Sequence, residues 1–224
     1  PLGESAIYNF SGIWNYDGFS PSRSKNIKAG ARYTEGDWAF DGNLFYNKID
    51  DSHDLTGTVV GSTVIRNSTI DLVTKGYNLS STYNYGPGFA RLTYSHTDVE
   101  TNGGAPLSTN ASYQGVLQGD MFSLEIGHSW DDLGLRVGST SELALSNDDP
   151  EKNGFPKLDT YFVTNLYGEW TPASLSAVTL RVDALNILDR DYIDRTTPGY
   201  DSSQVGEPYH EPGRTFLVSA KVAF

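Results

Sequence analysis

Histidine offers the most direct route to metal chemistry in this 224-residue sequence, which has four histidines and no cysteine. His53 lies beside Asp51 and Asp54, and His210 lies in a second polar segment near the C-terminus. An imidazole can bind a transition metal or act as an axial ligand of haem iron. A solvated loop histidine is the simpler interpretation of either residue alone, so both interpretations stay open.

The polar segment from Asp189 to Gly213 combines aromatic rings with carboxylates. Its tyrosines are candidates for ligand binding, namely Tyr192, Tyr200 and Tyr209. Tyrosine rings with flexible polar neighbours suit an iron chelate or haem. The same composition suits a hydrated surface bridged by cations, so composition alone does not distinguish a ligand-binding segment from such a surface. The sequence has no histidine pair and no ordered set of carboxylates of the kind that forms a tight structural metal site.

The composition excludes several other kinds of chemistry. Without cysteine there is no disulfide, no thiolate metal site and no cysteine nucleophile. Sixteen basic residues against 28 acidic ones give a formal charge of -12, which argues against a basic nucleic-acid-binding face. Neither a Gly-x-Ser-x-Gly elbow nor a glycine-rich phosphate loop is present, so we expect no enzyme.

The elements that must hold these residues are β-strands. Apolar and polar side chains alternate along much of the chain, most clearly in the C-terminal run that includes Ala220, Val222 and Phe224. Such alternation predicts strands with one apolar face. A mean hydropathy of -0.41 with no long apolar run excludes a transmembrane helix. It leaves open a membrane β-barrel, whose strands face lipid only at every second residue.

Short turns and long polar segments alternate between the strands. The short turns lie near Gly36, Gly86, Asp131 and Pro172. The long segments cover roughly residues 50–67, 99–117, 145–158 and 189–213. With an opening strand near Ser5 to Trp14, we expect ten strands, with all short turns at one end of the sheet, as in an outer-membrane barrel. A soluble β-sandwich is the alternative, because it also alternates and uses similar turns.

Three segments resemble the C-terminal barrel of TonB-dependent outer-membrane receptors. The run from Leu180 to Tyr192 is similar to their N-hydrophobic-hydrophobic-D-x-x-Y element, and the run from Glu211 to Phe224 to their closing P-G-R-T-F strand. The third segment consists of the runs from Ser24 to Tyr33 and from Leu44 to Asp51, which together are similar to a hairpin of the family. Lys28 stands in that hairpin where glutamate is usual.

This resemblance implies an all-β fold, an antiparallel transmembrane β-barrel to which the chain contributes about ten C-terminal strands of 22. Residues 1–224 are then one domain, the C-terminal part of the barrel, without the N-terminal plug, the TonB box and the first strands. The chain opens with Pro1 and has no signal-like segment, which also predicts a processed protein or an excised fragment. The implied location is the outer membrane of a Gram-negative bacterium.

The resemblance also implies a receptor that imports an iron-containing ligand. The last polar segment favours haem or a haemoprotein, with a ferric siderophore as the alternative and a soluble or surface β-sandwich binding module as the alternative of another class. His53 and His210 would face the extracellular side. No intrinsic cofactor is implied, because haem or a ferric chelate would be the transported ligand. The implied partners are lipopolysaccharide and the outer membrane, the TonB complex acting through the absent N-terminal part, the outer-membrane assembly machinery and an extracellular haemoprotein.

Two further sets of residues acquire roles from the resemblance. Phe224, Val222 and Ala220 resemble the signal by which the assembly machinery recognises a last strand, and they equally suit lipid-facing positions. Four arginines would point into the barrel lumen, where a plug or an anionic ligand could contact them: Arg32, Arg91, Arg136 and Arg181. Charged side chains in a barrel lumen are also common without a dedicated role.

Overall fold

A computed structural model of the chain describes residues 14–16, 21–53, 58–60, 63–66, 69–102, 104, 118–153, 157–195 and 210–223. Its strands are β1 (Trp14–Tyr16), β2 (Arg23–Glu35), β3 (Trp38–His53), β4 (Thr58–Val60), β5 (Thr63–Arg66), β6 (Thr69–Asn84), β7 (Gly88–Thr101), β8 (Gly119–Trp130), β9 (Leu135–Ala144), β10 (Tyr161–Trp170), β11 (Val178–Leu185) and β12 (Thr215–Val222). Nine of them form one antiparallel sheet in the order β12-β11-β10-β9-β8-β7-β6-β3-β2. The other three form a small separate sheet, in which β5 pairs with β1 and β4.

The main sheet has one apolar face and one polar face, because successive side chains point to opposite sides of a strand. The cross-strand register aligns the apolar residues in rows, so that Val182 lies directly opposite Gly168 on one side and Val218 on the other. Many large apolar side chains on this face are exposed, among them Leu44, Leu92, Leu166, Val182 and Val218. An apolar surface of this extent is typical of a wall that faces lipid.

The connections between the strands confirm the predicted alternation of short turns and long loops. Four short turns lie at one end of the sheet, which we call the short-turn end: Gly36-Asp37, Gly86-Pro87 and the single 3-10 turns Asp131–Leu133 and Ala173–Leu175. The long connections lie at the opposite end, the long-loop end. Two strands run further than predicted, β3 to His53 and β7 to Thr101, because backbone pairing continues above the apolar residues.

The sheet is open, as expected for part of a barrel. Nine strands lie in the main sheet of the described residues, where the sequence predicted about ten. Most of the predicted opening strand, Ser5 to Trp14, lies outside the described residues, and Trp14 itself belongs to β1 in the small sheet. No helix in the described part of the chain is long and apolar enough to cross a membrane.

Aromatic rings on the polar face cover glycines of the neighbouring strand. The pairs are Phe45 over Gly76, Phe89 over Gly127 and Tyr167 over Gly138. A Cβ atom added at any of these glycines would lie within 2.7 Å of the ring. A glycine in a strand interior is otherwise unfavourable, so these positions mark close packing across the sheet.

Small apolar clusters lie at the long-loop end. One contains Leu72, Val99 and Leu158, all at most 7% exposed. Another contains Ala144, Tyr161 and Val163, against which Tyr192 of the last loop packs. These clusters anchor the described parts of the long connections to the wall.

Candidate ligand-binding site at the base of the last loop

The last loop, residues 186–214, connects β11 to β12, and Asn186 closes its base. Asn186 is only 3% exposed and has a φ of 48°, a left-handed conformation that asparagine tolerates better than most residues. Its side-chain Nδ2 donates to the carbonyl oxygens of Arg190 at 2.8 Å and Pro212 at 3.2 Å, while its Oδ1 accepts from the Arg190 backbone N–H at 2.9 Å. One side chain therefore joins both ends of the loop.

Asp189 makes a second connection across the base. Its Oδ1 accepts from the backbone N–H of Arg214 at 2.8 Å. A Cβ added at Gly213 would lie 2.9 Å from the same oxygen, so a larger residue there would push the Asp189 carboxylate aside. Further out, the backbone N–H of Glu211 donates to the carbonyl oxygen of Tyr192 at 2.9 Å. Together these bonds close the described part of the loop, residues 186–195 and 210–214, into a clasp.

The clasp brings His210 against Asp191. The imidazole Nδ1 contacts Asp191 Oδ1, and because an ionised carboxylate only accepts hydrogen bonds, Nδ1 is the nitrogen that carries the proton. In the neutral imidazole, the other ring nitrogen, Nε2, then carries the lone pair that can bind a metal. About half of the His210 side chain is exposed, so Nε2 is accessible to a ligand that reaches the loop.

His210 and Tyr192 line one small recess of about 130 Å³ with Asp159, Thr160, Tyr161, Asp191, Ile193 and Arg195. The Tyr192 ring packs against the Tyr161 ring, with centroids 4.8 Å apart. Burial, followed by the nearby carboxylates of Glu211, Asp194 and Glu142, raises the pKa of Tyr192. The Tyr192 phenol therefore stays protonated at neutral pH.

Arg195 fixes the floor of the recess and is 4% exposed. Its guanidinium donates to the carbonyl oxygens of Leu145 and Asp159, each at 2.7 Å, and lies 5.4 Å from the centre of the Tyr161 ring. The Tyr161 hydroxyl donates to Glu142 at 2.6 Å. Sequence reasoning missed Arg195 and Tyr161, to which it gave no role. It singled out the motif that holds Asn186 and Asp189 but gave those residues no role.

The four predicted lumen arginines all lie on the polar face, close to the short-turn end. Each pairs with carboxylates on its own or a neighbouring strand: Arg32 with Asp41, Arg91 with Glu125, Arg136 with Glu169, and Arg181 with Glu169 and Asp183. Arg181 also lies 4.5 Å from the centre of the Tyr167 ring. The result is a ladder of alternating charge along the polar face.

Several predicted site residues fall elsewhere. The backbone of His53 ends β3 and pairs with Thr69. Six strands lie between β3 and β12 in the sheet order, so His53 is far along the sheet from β12, the strand that follows the loop carrying His210. Tyr200, Tyr209 and Phe224 lie outside the described residues. Val222 and Ala220 lie on the apolar face, opposite Val178 and Leu180. Within the described residues no group of three or more His, Asp or Glu side chains could hold a metal ion.

These features define a class of protein, the outer-membrane β-barrel: antiparallel strands, an apolar outer face, short turns at one end and long loops at the other. A family model described as "TonB dependent receptor-like, beta-barrel" matches residues 4–187. The chain belongs to this family. The family consists of receptors and transporters of the Gram-negative outer membrane, which confirms the predicted location and the expectation that the chain is not an enzyme.

Known proteins resemble the chain along most of its length. The heme transporter BhuA of Brucella ovis is 27% identical over 209 residues, which cover 92% of this chain and 31% of that transporter. The FrpB iron transporter from Neisseria meningitidis has a similar fold, with a TM-score of 0.72 and 16% identity over 94% of this chain and 32% of its own. The pyoverdine receptor FpvA from Pseudomonas aeruginosa, bound to pyoverdine, has a TM-score of 0.61 and 16% identity over 91% of this chain and 30% of its own. The chain thus spans about a third of the length of the relatives that it matches.

Proposed function

We propose that the protein containing this chain imports haem across the outer membrane, and that His210 is an axial ligand of the haem iron during capture. The observation that carries this proposal is the contact between His210 and Asp191. Histidines that bind a metal usually donate their other ring N–H to a carboxylate, which fixes the tautomer and raises the basicity of the ligating nitrogen. His210 and Asp191 have this arrangement.

Haem explains a single oriented imidazole better than a ferric siderophore does. In a siderophore the chelator's own oxygen atoms occupy the iron, whereas haem iron keeps axial positions open for protein ligands. The 27% identity to a heme transporter supports the same choice. The ferric siderophore remains the second candidate, since a pyoverdine receptor shares the fold and tyrosine-rich loops suit such chelates.

The other predicted residues take supporting roles in this proposal. His53, at the long-loop end of β3, is a second candidate axial ligand, and Tyr192, Tyr200 and Tyr209 are candidate contacts for the porphyrin ring. The arginines Arg32, Arg91, Arg136 and Arg181 face the lumen and contact the plug or the propionates of haem. An N-terminal plug and TonB box outside residues 1–224 connect the receptor to the TonB complex, and an extracellular haemoprotein is a candidate source of haem.

The C-terminal strand has a proposed role of its own. Val222 and Ala220 lie on the apolar face of β12, as expected of a strand whose alternate residues meet lipid. We propose that Val222, Ala220 and the C-terminal Phe224 are recognised by the outer-membrane assembly machinery.

Replacing His210 in the full-length receptor tests the haem proposal. We expect His210→Ala to lower the affinity of the purified receptor for haem and to alter its Soret spectrum, because an axial ligand is lost. Asp191→Asn should weaken haem binding about tenfold, toward the lower end of the usual effect of such partners. His128→Gln is the matched control, because His128 lies on the apolar face beside Trp130, away from the loops.

Growth on different iron sources separates the two candidates. Loss of growth on haem with normal growth on a ferric siderophore supports the haem proposal. Unchanged haem affinity and spectrum in both His210→Ala and His53→Ala would remove these histidines as ligands and overturn it. Loss of siderophore uptake alone would favour the siderophore receptor.

A further inference from the structure

The recess beside His210 is too small to enclose a whole haem. Its volume is about 130 Å³, whereas pockets that enclose ligands of drug-like size measure about 300–1,000 Å³. Only one edge of the porphyrin can therefore enter it. Haem carries both of its propionates on one edge and only vinyl and methyl groups on the opposite edge, so the lining of the recess decides which edge enters.

Carboxylates dominate the charge of the recess. Asp159 and Asp191 line it directly. Next to them, the Tyr161 hydroxyl donates to Glu142 at 2.6 Å and lies 3.3 Å from a carboxylate oxygen of Asp194. A propionate brought into this surrounding would face like charges at short range, which is unfavourable.

Arg195 is the one permanently charged cation among the described residues that line the recess, and its guanidinium is already engaged. The residue is only 4% exposed. It donates to the carbonyl oxygens of Leu145 and Asp159, each at 2.7 Å, and lies 5.4 Å from the centre of the Tyr161 ring. A propionate could pair with Arg195 only by displacing these contacts, so the guanidinium holds the floor of the recess and not an anionic ligand.

The sequence between the two sides of the clasp supplies no positive charge either. Residues 196–209 contain Asp201 and Glu207 but no lysine or arginine. In the loop before β10, the Lys157 Nζ lies 3.8 Å from the Asp159 carboxylate. A propionate would therefore have to compete with Asp159 for this lysine.

The rest of the lining suits the vinyl-bearing edge of haem. Tyr192 and Ile193 are both partly buried, and the Tyr192 ring packs against the Tyr161 ring with centroids 4.8 Å apart. Tyr161 belongs in turn to the apolar cluster with Ala144 and Val163. Vinyl and methyl groups bury favourably against such surfaces, because they leave water without losing a hydrogen bond.

We propose that haem enters the recess by its vinyl-bearing edge, with both propionates directed away from it. The proposal rests on the haem function proposed above and adds which edge of the ligand the receptor recognises. His210 binds the iron, the aromatic and aliphatic side chains accept the apolar edge, and the carboxylates of Asp159 and Asp191 repel the propionate-bearing edge. The recess therefore selects against porphyrins that carry carboxylates on the entering edge.

Three iron porphyrins test this orientation in the purified full-length receptor, with dissociation constants measured from the Soret band. Haem is the reference. Haem dimethyl ester has the same ring and iron but no ionised propionate, and we expect its Kd to lie within about threefold of that of haem, because no strong ion pair is lost. Iron coproporphyrin III has a propionate in place of each vinyl group. We expect it to bind about tenfold more weakly or worse, because either edge brings carboxylates into the recess.

Asp159→Asn removes one charge of the recess without disturbing its floor. The Asp159 side chain is 83% exposed, and its backbone carbonyl still accepts from Arg195. We expect the ratio of the Kd for iron coproporphyrin III to the Kd for haem to fall about threefold in this variant. Asp132→Asn is the matched control, since it removes an exposed carboxylate at the short-turn end and should leave the ratio unchanged. Heat-modifiable mobility checks that each variant is folded.

Two results would overturn the orientation alone. If the dimethyl ester binds about tenfold more weakly than haem, a cation such as Arg190 or Arg214 at the base of the loop holds the propionates. If iron coproporphyrin III binds as tightly as haem, the recess does not distinguish the two edges. An unchanged haem affinity and Soret spectrum in both His210→Ala and His53→Ala would instead overturn the haem proposal, and this orientation with it.

Discussion

Asn186→Ala will open the base of the last loop. We expect it to destabilise the receptor more than Gly76→Ala does. The side chain makes three hydrogen bonds, to Arg190 twice and to Pro212 once, from a position that is almost fully buried. A buried backbone group that loses its partner costs about 1–3 kcal/mol. Alanine is also strained at a φ of 48°. We therefore expect the free energy of unfolding of the full-length receptor to fall by about 3 kcal/mol or more.

Asn186→Gly separates the two causes. Glycine adopts a positive φ without strain but cannot join the two ends of the loop. If the hydrogen bonds dominate, the glycine variant will be nearly as unstable as the alanine variant, and limited proteolysis will cleave the last loop faster in both. Asn26→Ala, in an exposed part of β2, should leave both measurements unchanged. A glycine variant as stable as the wild type would show that the clasp contributes little.

Gly76→Ala will disrupt the pairing of β6 with β7. An added Cβ would lie 2.0 Å from the carbonyl oxygen of His96 and 2.7 Å from Cζ of Phe45, and the first of these atoms belongs to the backbone. Overpacking of this kind typically costs 1–3 kcal/mol, so we expect a loss of about 2–3 kcal/mol. The measurements are the free energy of unfolding of the full-length receptor and the fraction that shows heat-modifiable mobility.

Gly168→Ala is the matched control for this substitution. Gly168 also lies within a strand of the sheet, but a Cβ added there would meet no atom within 4 Å. We expect the stability of this variant to lie within about 0.5 kcal/mol of the wild type. Equal behaviour of the two alanine variants would contradict the close packing of Phe45 on Gly76.

The fold could be predicted to a large extent from the sequence, because the period of two specifies both the strands and the faces. The four short turns and the four arginines of the polar face all lie where the alternation placed them. The upper ends of the strands were missed, since residues such as Asp50 and Asp98 break the apolar pattern although their backbones continue to pair, Asp50 with Arg23 and Asp98 with Lys75. In these upper segments the outward positions carry charges and the apolar side chains, such as Leu72 and Val99, point inward, so an apolar outer face no longer marks the strand.

The site could be predicted only in part. The sequence suggested His210 and Tyr192, and the structure brings them to one recess. It could not choose Asp191 among the many carboxylates of the last loop as the partner of His210. Nor could it place Arg195 on Tyr161, because that contact joins residues far apart along the chain, on elements whose approach depends on the folded loop. Local periodicity carries no information about such contacts.

The clasp separates the ends of the last loop from the segment between them, so the sequence of that segment can differ between receptors while the ends stay joined. Asn186, Asp189 and Gly213 tie the loop to the wall through backbone groups and their own side chains, so the segment between residues 195 and 210 can change without altering the join. We expect that segment to be replaceable while the clasp holds the two ends of the loop together. Grafting the corresponding segment of another receptor between the same two anchor points is then a direct way to transfer ligand preference while the barrel stays intact.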